Sequence, residues 1–152
     1  MLIGHPDCTY LCSSGLHWNK RVPGRQQLTN AALDFVREMM DLPIAKIAIE
    51  NPIGCISTQI RRPDQIIQPY EFGDDASKRT CLWLKGLPPL PLDPAVRFAG
   101  RRVMDPKTNK IVERWSNQTD SGQNRLGPSE RRAADRAVTY PGIASAMAET
   151  WG

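Results

Sequence analysis

Two short apolar segments with an amphipathic segment between them occupy the first 50 residues, and this order limits the fold more than any other feature. Residues 1–4 (MLIG) and 44–50 (IAKIAIE) have the apolar content of buried strands. Residues 28–43 place apolar side chains at helical spacing and end at Pro43. A strand–helix–strand unit of this kind has parallel strands joined by a right-handed crossover, so we predict an α/β fold. The apolar face of the predicted helix consists of Leu28, Ala32, Phe35, Val36, Met39 and Met40.

Polar residues that can do chemistry follow both predicted strands. His5 and Cys8 come just after the first strand. Glu50 and Asn51 lie at the end of the second. The carboxyl ends of parallel strands meet at one edge of a sheet, so we expect one site there. A Cys8 thiolate would be a nucleophile, although a cysteine in a small domain is also a common packing residue. A carboxylate followed by an amide can bind the edge of a base, whereas Asn before Pro is also typical of a turn.

The second half of the chain contains a further strand, a hairpin and a terminal helix. Residues 80–87 have the pattern of a short buried strand, and residues 103–112 that of a hairpin. Residues 129–138 are a candidate basic helical turn. We predict a final helix within residues 139–152, because Pro141 suits the first helical position. Its predicted apolar stripe is Ala144, Met147, Ala148 and Trp151.

The composition is typical of one globular domain. The chain has 152 residues, of which 40% are hydrophobic and 24% charged, and this excludes a disordered chain. No apolar run approaches the roughly 18 residues of a membrane span. The four cysteines lack the spacing of a disulfide scaffold, so we predict free thiols and a cytoplasmic location. Among them, Cys12, Cys55 and Cys81 are predicted to be buried thiols.

The charge is unevenly distributed along the chain. Residues 1–76 contain 7 Lys and Arg against 9 Asp and Glu, whereas residues 77–152 contain 13 against 7. A basic half beside a slightly acidic half suggests a polyanionic partner for one end, and it is equally typical of a solvated surface.

Four segments together resemble the catalytic half of the DNA (cytosine-5)-methyltransferase family. GHPDCTYLCSSG (residues 4–15) resembles the Pro-Cys loop of that family, and IAIENPIG (47–54) resembles its Glu-Asn-Val motif. YEFGDDASKRTCLWLKG (70–86) resembles the basic motif that leads into an apolar strand. TYPGIASAMAETWG (139–152) resembles the last family motif, a helix that closes the cofactor pocket. The whole chain is similar to phage and prophage proteins of this class.

The resemblance implies a fold, a reaction and a set of site residues. Cys8 would attack C6 of a cytosine flipped out of double-stranded DNA, and Glu50 would bind N3 and the amino group of that base. Asn51 would hold the loop, and Arg79 with Lys78 would contact the base carbonyl or a phosphate. The methyl donor would be S-adenosylmethionine. The implied phosphate contacts are Arg97, Arg101, Arg102, Lys107, Lys110 and Arg114.

The implied architecture is a partial Rossmann-like methyltransferase sheet with a small basic C-terminal lobe. Residues 1–92 would form the catalytic half and residues 93–138 a basic hairpin lobe. The helix within residues 139–152 would pack back on the domain.

The sequence also departs from the family pattern at three places. Asp7 replaces the proline before the nucleophile, and an acid there opposes thiolate formation at Cys8. The family's Gln-x-Arg-x-Arg pattern is not intact at residues 76–78. The glycine-rich cofactor loop is missing. Three expectations follow: a split enzyme whose second polypeptide holds the cofactor, an inactive DNA-binding remnant, or a different use of the same base pocket.

Two further kinds of site remain open. His5, Cys8, Cys12 and His17 have the spacing H-x2-C-x3-C-x4-H, which falls within the range of zinc ligands. The loop of the amino-methyltransferases, an acid or Asn before two prolines and an aromatic residue, is a weaker match to HPDCTY.

Overall fold

The computed structural model describes residues 1–127 and 139–152, and its central feature is a mixed sheet in the order β1-β2-β4-β3. Strand β1 (Leu2–Gly4) is parallel to β2 (Ile47–Pro52), which confirms the predicted parallel pair. Strand β4 (Thr80–Lys85) is antiparallel to both β2 and β3 (Gln65–Ile67). The fold class is therefore mixed α/β, with a second, two-stranded sheet further along the chain.

The chain divides into two compact units. We call Met1–Ile67 with Arg79–Pro89 the sheet unit, and Gln68–Lys78 with Leu90–Gly152 the hairpin unit. The predicted boundaries lie after residues 92 and 138. The division into two units differs from them because Gln68–Lys78 belongs to the same unit as the C-terminal part of the chain. The predicted helical turn over residues 129–138 lies outside the described residues.

The crossover between β1 and β2 contains one long helix. Helix α1 (Ser13–Leu16) is a single turn, and α2 (Arg25–Asp41) is the main helix. Helix α2 ends because Pro43 forces the preceding residue, Leu42, into an extended conformation. Helix α3 (Ile56–Gln59) follows β2.

The predicted apolar face of α2 is partly wrong. Leu28 and Phe35 are exposed, whereas Thr29, Leu33 and Val36 are buried. Thr29 tolerates burial because its hydroxyl donates to the carbonyl oxygen of Tyr10 and accepts from Asn19 Nδ2. The buried face is therefore rotated toward the polar segment that precedes the helix, which the helical period alone does not reveal.

The core of the sheet unit lies between α2 and one face of the sheet. Ile47 and Ile49 of β2 and Trp83 of β4 pack with Leu33 and Val36. Ile49 and Trp83 are directly paired across the strands, so their side chains share a face. Leu11, which is fully buried, and the buried Cys55, Ile56 and Cys81 belong to the same cluster.

The hairpin unit contains strands β5 (Arg101–Met104) and β6 (Ile111–Arg114) and the helix α4 (Pro141–Trp151). Helix α4 starts at Pro141, as predicted, and its first turn is held by the carboxylate of Asp74, which accepts from the Gly142 N–H at 3.1 Å. Its buried residues are Ile143, Met147 and Trp151. The predicted stripe is correct at Met147 and Trp151 and wrong at Ala144 and Ala148, which are exposed.

No helix in residues 1–127 or 139–152 is both long enough and apolar enough to cross a membrane.

Candidate functional site

The loop after β1 is fastened to the end of β2 at two points. Nδ1 of His5 lies 2.9 Å from Oε2 of Glu50. Nδ2 of Asn51 donates to the carbonyl oxygen of Pro6 at 2.7 Å. The structure therefore brings the segment that leads into Cys8 together with Glu50 and Asn51, as the positions of these residues after parallel strands predict.

Glu50 and Asn51 hold this loop from opposite sides. Successive residues of a strand point to opposite faces of the sheet, so their side chains reach the loop separately. Asn51 is 1% exposed, and its Oδ1 atom accepts no hydrogen bond from any described residue. Buried acceptors are nearly always satisfied by protein, water or a ligand. An unused buried acceptor therefore lies next to the fastened loop.

A second set of contacts fixes the chain beyond Cys8. The Ser13 N–H donates to the carbonyl oxygen of Ile53, and the Cys55 N–H donates to that of Leu11, at 3.0 and 2.8 Å. Gly54 lies between these contacts and has no room for a side chain, because a Cβ atom would be 1.9 Å from the Leu11 oxygen. The close approach of the two segments thus requires glycine.

Asp7 provides a fixed negative charge before Cys8. Its carboxylate accepts from the hydroxyl and the N–H of Thr9 at 2.7 and 2.9 Å, and these hydrogen bonds lower the pKa of Asp7. The carboxylate is ionised at neutral pH and opposes a second negative charge on Cys8. The effect of Asp7 on thiolate formation at Cys8 stays a prediction.

Cys12 is the cysteine whose surroundings favour a thiolate. A hydrogen bond with the thiol of Cys8 is the largest cause, and contacts with the Ser14 hydroxyl and the N–H groups of Ser14 and Gly15 add to it. Together they outweigh burial and lower the pKa of Cys12 to about 5. Its Sγ atom lies 3.0 Å from Oγ of Ser14.

The prediction that Cys12 is a buried thiol is therefore wrong, since it is only partly buried. Cys55 and Cys81 are buried, as predicted, and burial raises the pKa of both thiols. The signal in the sequence is the Ser-Ser-Gly that follows Cys12. These small residues form a short helical turn, and the second of them, Ser14, places its hydroxyl beside Sγ of Cys12.

Arg79 and Lys78, which were predicted to act together, belong to different units. Arg79 is exposed and directly precedes β4, and Pro52 pairs with Thr80, so Arg79 lies at the sheet edge where β2 ends. Lys78 belongs to the hairpin unit, where its ammonium lies 6.0 Å from the ring centroid of Tyr140.

Three of the predicted phosphate-binding residues are engaged in ion pairs. Arg97 pairs with Glu113 at 2.5 Å, Arg114 pairs with Asp105 at 2.7 Å, and Arg101 pairs with Asp120. Arg97 also lies over Tyr70 and Trp115, whose rings are stacked 3.9 Å apart. These guanidinium groups therefore help to hold the hairpin unit together.

The other three predicted phosphate contacts are exposed. Arg102 lies on β5, and Lys107 and Lys110 lie in and beside the turn that follows it. None of the three forms an ion pair with a residue in the described part of the chain. These three side chains are therefore accessible to an anionic partner.

Within residues 1–127 and 139–152, no group of three His, Cys, Asp or Glu side chains is arranged to hold a metal ion.

No protein-family model, no curated protein and no solved structure matches the chain.

Proposed function

We propose that the sheet unit is the base-binding and nucleophilic half of a DNA cytosine-5-methyltransferase-like site. The observation that supports this most is the pair of contacts between His5 and Glu50 and between Pro6 and Asn51. They hold the segment before a cysteine against a carboxylate and an amide. A pyrimidine needs this combination, because its ring must be held by polar groups while a sulfur approaches C6.

Each residue then has a definite role. The carboxyl group of Glu50 binds N3 and the exocyclic amino group and gives a proton to N3. Sγ of Cys8 forms a bond to C6, while the thiol proton passes to Sγ of Cys12, to which it is hydrogen-bonded. The electron pair of the C5–C6 bond moves into the ring and leaves C5 electron-rich. Arg79, at the same sheet edge, would bind the carbonyl oxygen of the base.

The described residues do not provide a site for S-adenosylmethionine. Such a site requires a glycine-rich loop between a strand and a helix and an acid after the next strand. Here the loop after β1 contains the cysteines, and β2 ends in Glu50 and Asn51. The methyl donor would therefore be held by a cofactor-binding half that the described residues do not contain.

The first experiment tests bond formation to C6 without a methyl donor. The protein is incubated with DNA duplexes carrying 5-azacytosine in mixed sequence contexts, opposite a mismatched base that lowers the cost of extrusion. A nitrogen at position 5 makes C6 more electrophilic. We expect an adduct that survives denaturation and maps to Cys8 by mass spectrometry of the digested complex.

Two variants make this experiment decisive. Cys8→Ser should abolish the adduct, and Glu50→Gln should reduce it by about 10²–10⁴-fold, because a positioned acid contributes that much. Glu38→Gln changes an exposed acid of α2 and should have no effect. An adduct mapped to another cysteine, or none with the folded wild-type protein, would overturn the proposal.

A DNA-binding protein without catalytic activity is the second candidate function. It is favoured by the exposed Arg102, Lys107 and Lys110 on the hairpin together with the lack of a fit for the methyl donor. Such a protein binds DNA equally well after Cys8→Ser. Each of Lys107→Ala and Lys110→Ala should then lower the slope of log affinity against log salt by about 1.

A further inference from the structure

The loop of the candidate site contains two thiols in mutual contact. Cys8 and Cys12 are one turn apart, because the Cys12 N–H donates to the carbonyl oxygen of Cys8 at 2.9 Å. Their side chains are also joined by a hydrogen bond. Disulfides form between cysteines whose Cα atoms are roughly 4.4–6.8 Å apart, a range that includes residues on consecutive turns. The pair can therefore be oxidised without a large movement of the backbone.

The backbone around this pair is held from outside. Cys12 forms a β-bridge with Gly54, and the fully buried Leu11 anchors the segment in the core. Asn51 holds Pro6 on the other side of Cys8. Both thiols are thus kept near each other by contacts with β2 and the turn that follows it, rather than by chance proximity in a free loop.

The two sulfurs are not equivalent. Sγ of the partly buried Cys12 lies 3.0 Å from the Ser14 hydroxyl and is hydrogen-bonded to Cys8, whereas Cys8 follows the ionised Asp7. The negative charge of the pair therefore resides on Cys12. A partly exposed thiolate stabilised by hydrogen bonds from neighbouring side chains is the kind of cysteine that attacks disulfides.

We propose that Cys8 and Cys12 are a redox-active pair, in which Cys12 attacks low-molecular-weight disulfides and Cys8 resolves the product. Sγ of Cys12 bonds to one sulfur of the disulfide RSSR and releases the other as RS⁻. The thiolate of Cys8 then bonds to Sγ of Cys12 and releases the second RS⁻. In total the two protein thiols lose two electrons and two protons, and RSSR is reduced to two RSH once both RS⁻ ions are protonated.

This pair gives the site a means of control. A Cys8–Cys12 disulfide leaves no thiolate on Cys8, so oxidation would stop attack on a base until a thiol reductant restores the pair. Only this consequence rests on the proposed methyltransferase-like function. The redox chemistry itself requires no DNA.

The test uses the full-length protein, oxidised glutathione as the probe, and mass spectrometry of peptides after quenching with acid. The wild type should yield an intramolecular Cys8–Cys12 disulfide that dithiothreitol reverses. Cys8→Ser should retain a stable glutathione adduct on Cys12. Cys12→Ser should react at least about tenfold more slowly, because the remaining thiol lacks the stabilising contacts. Cys55 and Cys81, both buried, are internal controls that should stay reduced.

Ser14→Ala is a milder variant that leaves every cysteine in place. It removes one hydrogen bond to Sγ of Cys12 and should slow the reaction a few-fold. The proposal is overturned if the wild type does not react, if glutathione remains attached to it, or if Cys8 reacts faster than Cys12 in the single variants. A failed DNA adduct with a normal redox reaction would reject the proposed function and leave the redox pair intact.

Discussion

The sheet unit and the hairpin unit use polar residues in different ways. At the sheet edge, Asn51 is buried with an unused acceptor, and Cys12 is partly buried with a stabilised negative charge. In the hairpin unit, Arg97 and Arg114 are satisfied by Glu113 and Asp105. Unused bonding capacity is typical of a site, whereas satisfied charges are typical of a scaffold. A count of basic residues therefore overestimates the cations of this hairpin that are not engaged in ion pairs within the described residues.

The largest effect should come from breaking the scaffold of the hairpin unit at Trp115→Ala. Trp115 is 7% exposed, stacks on Tyr70, and donates from Nε1 to the carbonyl oxygen of Phe98 at 3.2 Å. Loss of a buried tryptophan should lower the free energy of unfolding by about 3–5 kcal/mol in urea denaturation. Trp18→Ala is the control, since Trp18 is 45% exposed and should cost less than about 1 kcal/mol. Equal losses would contradict a structural role for the stack.

The next effect concerns the backbone that fixes the sheet edge. Gly54→Ala forces a Cβ atom against the Leu11 oxygen and should destabilise the protein by about 1–3 kcal/mol, with a slower reaction of Cys12 toward iodoacetamide. Gly127→Ala is the matched control, because nothing lies within 4 Å of its added methyl group. A neutral Gly54→Ala variant would show that the loop is not held by this approach.

A smaller effect should follow from Asn51→Ala. The change removes the hydrogen bond to Pro6 but also removes the unsatisfied Oδ1 atom, so the two contributions partly cancel. We expect a net loss of about 1 kcal/mol by chemical denaturation. The hydrogen-exchange rates of the amide groups in residues 5–12 should rise by more than this small loss of global stability alone would cause. The exposed Asn30→Ala serves as the control, and similar exchange in both variants would contradict the role of Asn51.

The mildest effect should be the acid response of the hairpin unit. Hydrogen bonds from the N–H groups of Lys107 and Thr108, with the charge of Arg114, lower the pKa of Asp105 below the ordinary 3.8. This stabilisation is complete above the ordinary pKa and is lost as pH falls through the lower folded value. Melting temperatures measured from pH 7 to pH 2 should therefore fall less steeply in Asp105→Asn. The exposed Asp41→Asn is the control and should keep the wild-type dependence of melting temperature on pH. If Asp105→Asn also keeps it, the stabilising role of the ionised Asp105 is contradicted.

Much of the sheet unit can be predicted from the sequence because local periodicity and strand order determine it. The parallel pair β1–β2, the helix between them and the strand β4 all follow from apolar patterning. Strand β3 is missed, since Gln65–Ile67 is too short to have a recognisable period. The face of α2 is misjudged at Thr29, because the burial of that hydroxyl depends on Tyr10 and Asn19.

The candidate site is only partly predictable for a similar reason. The proximity of Glu50 and Asn51 to the first loop follows from the topology of parallel strands. The charge on Cys12 depends on the orientation of Cys8, Ser14 and Gly15 within one turn, and no spacing rule contains that information. The pairing of Arg97, Arg101 and Arg114 with acids joins positions 9 to 19 apart in the sequence and depends on how the hairpin unit folds.

The contacts between His5 and Glu50 and between Pro6 and Asn51 each link positions 45 apart in the sequence. During synthesis, the first cysteine-bearing segment leaves the ribosome long before the strand that anchors it. The entropy of closing such a long loop must be overcome before either contact forms. Cys8 and Cys12 of the nascent chain are therefore unrestrained at first. The contacts with Glu50 and Asn51 form only after β2 has left the ribosome and paired with β1.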